Sequence, residues 1–526
     1  MKTLTAFLSF FLFFLFFTPF RTLHAQSLSG DKDLMEARLR AIYKDLLKTI
    51  GDKSDSIPTL RINKDHFRIA SLLKDDSGSV IYIDALAIAI CQKKFKDRAV
   101  QDGLLAFLIA HELSHFYNGD LNENFIDCVT EFDQRQIREK EEKADEFAAY
   151  IVYQAGYDAL QYVTSFVEEL YRRYRPLDLS CSLPAEDRGQ LAKSGIKRSE
   201  NLIALNKAAH YLFVAGHYGK ALPIYEYLLS MIKFKEIYNN LGAIHLYGHT
   251  NATTDTFTYC YPMPIALEFP RQRDGTERNY FSISKAIQYL RQGLQYDQDN
   301  FTLLTNLCSA YLQLGQLIAA RKIIDDLNDI KKKSAIEFNT LKILTAICKD
   351  QQVRAQRLLP AVEKLLNDVT QNTSLPEIYT KIATCNLAYM EDRKPRSGPC
   401  IVKELKTERL EEFNDKFGKG SIVIPLIESR ELSLQLQQFS QSKHIEGRIG
   451  GKSIFIGLTS SIRLKDFQHI GKGSRFKEIK AIIDNRGLAT RLFPYKGGSF
   501  FIVDRLGLIF RLNEADVVVE WAYLSA

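Results

Sequence analysis

The stretch Ala106-Phe107-Leu108-Ile109-Ala110-His111-Glu112-Leu113-Ser114-His115 sets two imidazoles four residues apart, with a carboxylate beside the first. On an α-helix positions i and i+4 share a face, so His111 and His115 can aim ring nitrogens at one point. Neutral imidazole is a good zinc ligand, and a catalytic zinc keeps one position open for water. Glu112 then stands where it can take a proton from that water instead of binding the metal. With only 10 histidines in 526 residues, a chance match to this pattern has a probability on the order of 1%. The five apolar residues before the motif predict a buried helix, where two histidines and a glutamate without partners would be costly.

A zinc site needs a third protein ligand. The run Glu139-Lys140-Glu141-Glu142-Lys143-Ala144-Asp145-Glu146 places Glu141 and Asp145 on one helix face. Glu141 can reach a metal there while Asp145 accepts the free ring N–H of a ligand histidine. Glu139, Glu142 and Glu146 read as a solvated face with i,i+4 pairing. Spacing alone does not separate Glu141 from its acidic neighbours.

The elements that must position these groups follow from periodicity. A helix is expected over 34–47, then short strands at 59–62 and 79–83, the second entered through the turn Asp75-Asp76-Ser77-Gly78. The motif helix spans 99–117 and stops at Asn118-Gly119-Asp120. A long helix over 125–154 follows, highly charged up to Lys143 and amphipathic beyond it, closed by Gly156.

From about Asn201 the pattern changes. Ala209, Leu212, Gly216, Tyr218, Ala221, Tyr225 and Leu228 are spaced like the small and aromatic positions of a tetratricopeptide repeat (TPR). After an insertion at about 248–281, Ala286, Leu290 and Gly293 fit a second helix. Leu307, Cys308, Tyr311, Gly315, Ala320, Ile324 and Leu327 fit another full unit, with a weaker one around 344–359. Each helix pair leaves an apolar face for its neighbour to cover, which predicts a stacked solenoid. From roughly Gly418 the period becomes two, with strands expected at 453–458, 479–484, 490–495, 499–503, 507–512 and 517–521.

Composition narrows the function classes. A hydrophobic share of 46%, a charged share of 25% and 14 prolines describe folded protein. The net charge of +7 is spread along the chain, with no Lys/Arg block long enough for a nucleic-acid stripe, so no nucleic-acid partner is expected. Residues 1–25 combine Lys2, an apolar run from Leu4 to Phe20 and a small-residue end at Ala25, the pattern of a cleaved secretory signal peptide. A membrane anchor is the other reading, because the run approaches the ~20 residues of a spanning helix. Eight scattered cysteines without a CxxC pair read mainly as buried thiols, with room for one or two bridges. Asn251, Asn300 and Asn372 open N-glycosylation sequons. His245 and His249, four apart but without an acid nearby, read as repeat-surface residues.

The HExxH motif, the Glu141-x-x-x-Asp145 face on the next long helix and Ala155-Gly156-Tyr157-Asp158 together resemble the gluzincin metallopeptidases of the CAAX prenyl endopeptidase and periplasmic BepA type. The resemblance covers roughly residues 57–198 and, more loosely, the repeats. It implies one Zn2+ per chain held by His111, His115 and Glu141, with Glu112 as general base and Asp145 in support. It also implies that Ile81-Tyr82-Ile83-Asp84 is an edge strand on which an extended substrate lies by β-augmentation. Family members carry a His-Pro pair followed by Arg after the active-site helices. Here Leu183 stands at the histidine position before Pro184, and Arg188 matches the arginine, a candidate contact to substrate or transition state.

The expected architecture is multidomain and mainly α: a signal peptide (1–25), a zincin-like α+β metalloprotease domain (26–198), a TPR-like α-solenoid (199–395) and a small antiparallel β-rich module (405–526). The expected function is an exported zinc endopeptidase, periplasmic or secreted, with membrane or envelope association left open. Its partners would be polypeptide substrates and proteins bound by the repeats, in envelope quality control. The competing expectation is a TPR scaffold or chaperone whose metalloprotease domain hydrolyses little.

Overall fold

The computed structural model describes residues 34–51, 57–64, 68–76, 78–120, 131–174, 184–252 and 281–329. Between 422 and 525 it describes the strands, one helix and several linking residues. The signal-like segment, Leu183, the repeat insertion beyond 252 and the expected unit around 344–359 lie outside the described residues. The chain divides into two compact units, Met1–Glu200 and Asn201–Ala526.

In the first unit, helix α1 (34–50) precedes strands β1 (Thr59–Asn63), β2 (Ala70–Asp75) and β3 (Gly78–Asp84). The sheet order is β1-β3-β2, with β1 parallel and β2 antiparallel to β3. β3 is therefore the central strand, which corrects the edge-strand expectation for Ile81 to Asp84. Its main chain is taken on both sides, and an incoming peptide can pair only with β1 or β2. The run Val80-Ile81-Tyr82-Ile83 was compatible with this, since a nearly continuous apolar stretch suits a strand covered on both faces.

Asp84 caps helix α2 (Ala85–Lys94) by accepting from Leu86 N at 2.7 Å, and its carboxylate also accepts from the Tyr174 hydroxyl. Helix α3 (Arg98–Asn118) starts under the Asp97 cap, and every residue from Gly103 to His115 is buried. It packs against β2 and β3, α2, and the helices α4 (Glu131–Gln154) and α5 (Leu160–Arg173). Arg38 of α1 fastens its first turn by donating to Asp102 and Gln101. A helix enclosed on all sides has an apolar core position at nearly every residue, so polar side chains can persist there only with partners.

Helix α6 (Ala185–Val214) continues into the second unit. There, α7 (Tyr218–Met231), α8 (Lys235–Ala252), α9 (Ile283–Tyr296), α10 (Phe301–Gln313) and α11 (Leu317–Asp329) follow, consecutive helices packing on one another and α8 also on α10. Tyr218 stacks on Tyr247, and Tyr238 on Tyr296, across these contacts. Asn300 caps α10 with its side-chain oxygen. The thiols of Cys91 and Cys308 are buried, facing the carbonyl oxygens of Gln101 and Ala320; the other cysteines lie outside the described residues.

The C-terminal part is an eight-stranded antiparallel sheet: β4 (Ile422–Glu428), β5 (Leu432–Gln438), β6 (Ser442–Ile449), β7 (Lys452–Thr459), β8 (Thr490–Tyr495), β9 (Gly498–Val503), β10 (Leu508–Asn513) and β11 (Val518–Ser525). The order is β4-β5-β6-β7-β11-β10-β9-β8. Residues 479–484, expected as a strand, belong instead to helix α12 (Phe476–Asn485). Ile479, Ile482 and Ile483 recur at helical spacing, and Glu478 accepts from Arg475 N at 3.2 Å to close the first turn. Ile479 and Ile483 join Phe501, Phe510 and the lone tryptophan, Trp521, in one buried cluster. Within this unit Glu520 of β11 is buried, accepting from Lys207 Nζ at 2.7 Å and Tyr211 Oη at 2.9 Å, with Arg511 3.7 Å away.

Candidate metal site

His111 and His115 lie one turn apart on α3, and their Nε2 atoms are 3.2 Å from each other. Glu141 of α4 completes the group: Oε2 is 3.4 Å from His111 Nε2 and Oε1 is 3.4 Å from His115 Nε2. The donor atoms of these three residues all fall within 4.8 Å of one another, a spacing that one metal ion could span. Glu139 instead pairs with Arg135 at the surface, while Glu142 engages Ser194 and Arg198. The structure thus separates Glu141 from its acidic neighbours.

The far side of each ring is held by its own carboxylate. His111 Nδ1 lies 3.0 Å from Asp145 Oδ1, and His115 Nδ1 lies 3.0 Å from Asp120 Oδ2. An Nδ1–H donated to a carboxylate leaves the Nε2 lone pair free for a metal. Asp145 is itself fully buried and is gripped by both terminal nitrogens of Arg188, whose Nε is 3.3 Å from Glu141 Oε2. Gly195 allows this arrangement: a Cβ there would stand 2.8 Å from Asp145 Cβ and 3.0 Å from the Glu142 carbonyl oxygen, so only glycine lets α6 lie this close to α4. The Tyr171 ring faces the Arg188 guanidinium at 5.6 Å.

Electrostatics follow from this enclosure. Burial pushes the Glu112 carboxyl above its ordinary range, and the two histidines only partly offset the shift. Burial would lower the His111 pKa, but Glu141 and Asp145 outweigh it and raise the metal-free ring to about 10. Burial would raise Glu141 and Asp145; His111 for the first and Arg188 for the second hold them below the usual carboxylate range. In the metal-free protein the site therefore carries a proton where a cation would sit.

A second group of polar residues belongs to the helical hairpins. Residues 282–342 match the tetratricopeptide repeat family. No curated protein matches the chain. The match covers α9 to α11 among the described residues, so the chain is mostly helical with a TPR region and a C-terminal antiparallel sheet. This region supports protein–protein binding. His245 corrects the repeat-surface reading: it is fully buried, stacked on Tyr289, with Nδ1 accepting from Ser282 N at 3.4 Å. Burial lowers its pKa to about 4.

Two residues of the site were not read from the sequence. Asp120 was seen only as part of a helix stop, and Tyr171 lay in an amphipathic helix with nothing to mark it. The signal for Asp120 was the glycine before it, which turns the chain at the end of the motif helix.

Proposed function

We propose that the protein is a zinc-dependent endopeptidase of the gluzincin type that acts on protein clients, with the TPR region holding clients or partners. The observation that carries the reading is the convergence of His111 Nε2, His115 Nε2 and Glu141 on one point beside a buried Glu112. The residues fit zinc in type, number and second-contact support. Bound at these three side chains, zinc supplies the Lewis acidity that polarises a scissile carbonyl and makes water a nucleophile near neutral pH. Glu112 takes a proton from the attacking water and returns it to the leaving amine nitrogen, a role suited to its raised pKa. Arg188, whose terminal nitrogens grip Asp145 and whose Nε lies 3.3 Å from Glu141, acts by positioning those carboxylates.

Substrate docks as an added strand on β2, the sheet edge that packs against α3. Leu73 of that strand is 41% exposed, an apolar side chain open to an incoming peptide. Export, through the signal-like residues 1–25, places the enzyme in the periplasm or outside the cell. Among the described residues no helix is long and apolar enough to cross a membrane. The TPR match favours a second reading, a scaffold whose metal domain hydrolyses little.

Zinc content and casein cleavage, measured together, test the proposal. One zinc per chain, lost with proteolysis in Glu141→Ala but kept in Glu142→Ala, is the expected result. Glu112→Gln should retain zinc and lose cleavage by about 10^2- to 10^4-fold. Native function surviving in Glu112→Gln would favour the scaffold, and a wild type that takes up no zinc would remove the metal reading.

A further inference from the structure

Asp120 stands where an uninterrupted helix would not put it. A residue five positions after His115 would point roughly 140° away around an α-helix at 3.6 residues per turn. Gly119 changes the geometry: its φ of 78° is left-handed, its N–H closes the helix on the carbonyls of His115 and Phe116, and the chain folds back. The carboxylate of Asp120 thereby reaches His115 Nδ1 at 3.0 Å, with a side chain only 11% exposed.

The two ligand rings are thus held from different places. His111 is held from α4 by Asp145, which Arg188 neutralises at its buried position. His115 is held from the end of its own helix by Asp120, whose cationic neighbour is Lys140 Nζ at 3.8 Å. Lys140 directly precedes Glu141 in the sequence, so the second carboxylate also borders the start of the third ligand.

We infer that Asp120 is a positioning residue for metal binding, fixing His115 with its proton on Nδ1 so that Nε2 faces Glu141 and His111. The inference rests on the zinc reading of this site. Gly119 and Asp120 act as one device, the glycine supplying the turn and the aspartate the hydrogen bond. An outer carboxylate of this kind contributes about 10- to 100-fold in metal affinity.

The test uses the full chain and two readouts that need no proteolysis. Zinc dissociation constants come from competition with a chelator for wild type, Asp120→Ala and Asp120→Asn. Circular dichroism and thermal unfolding check that each variant is folded. Expected is a loss of about 10- to 100-fold in Asp120→Ala and a smaller one in Asp120→Asn, whose amide oxygen still accepts from Nδ1–H. In the zinc-loaded protein, proton–nitrogen NMR should show a bonded Nδ1–H on both rings; Asp120→Ala should lose the His115 signal and keep that of His111. Zinc affinity and both signals unchanged in folded Asp120→Ala would overturn the inference while leaving the zinc site standing. A wild type that binds no zinc would overturn both.

Discussion

Two clusters of carboxylates among the described residues differ in kind in their surroundings. In the second unit, Glu520 faces Lys207, Arg511 and the Tyr211 hydroxyl, so one acid meets two cations and a neutral donor. In the first, Glu112, Glu141, Asp145 and Asp120 surround two histidines with Arg188 and Lys140 as their cations. With neutral rings, four negative charges against two positive ones leave a deficit of two, the charge of a divalent ion. The Glu520 cluster has more than enough positive charge for its one acid and ties β11 to Lys207 and Tyr211 of α6. The α3–α4 cluster has its charge balanced only by protons or by a metal.

The contrast is sharpest when a cation is removed. Arg188→Met leaves Asp145 buried with no permanent positive partner, and breaking such a pair costs about 3–5 kcal/mol. The loss should appear in denaturant unfolding of the first unit and in zinc affinity, with the second unit's transition unmoved. Equal loss in both transitions would break the distinction. Glu520→Gln should cost only about 1–2 kcal/mol, because Lys207 and Arg511 are partly exposed and regain water. Its zinc content should equal that of wild type.

A further, graded effect is set by pH. The His111 pKa of the metal-free protein is raised, so its proton adds stability that is fully present below 6.5 and is lost as pH rises through about 10. Asp145 has the opposite sign, its contribution present above 3.8 and lost as pH falls through its depressed folded value. Zinc must displace the His111 proton, so its affinity should climb about tenfold per pH unit between 6.5 and 10 for each proton released. A flat affinity profile across that range would mean that the ring is already neutral and the deficit is balanced in some other way.

How much of this was legible depended on whether a group's position follows the period of its own element. His111, Glu112 and His115 share one helix, so a spacing of four was enough. Glu141 sits in a charged run where every face offers an acid, and only the resemblance singled it out. Asp120 was hidden because its contact depends on a left-handed turn that helical periodicity does not contain. In the β region, Leu432, Leu434 and Leu436 alternate with polar residues along β5, and the strands before Ser453 were readable on that ground though the sequence reading began with β7. The edge reading of β3 came from the resemblance alone, and the continuous apolar run Val80 to Ile83 pointed the other way. Residues 479–484 passed for a strand because isoleucine favours both states and the segment is short.

The eight-stranded sheet has a consequence for how the chain reaches its fold. Among the described strands of this sheet every pairing but one joins sequence neighbours: β4 to β7 form one run of hairpins and β8 to β11 another. The exception is β7 with β11, where Thr459 meets Trp521 across 62 positions of chain. Local hairpins form early and long-range pairings late, because loop closure must precede the contacts that reward it. The two halves can therefore assemble independently, and the step that commits them to one sheet is the arrival of the strand that carries both Trp521 and Glu520.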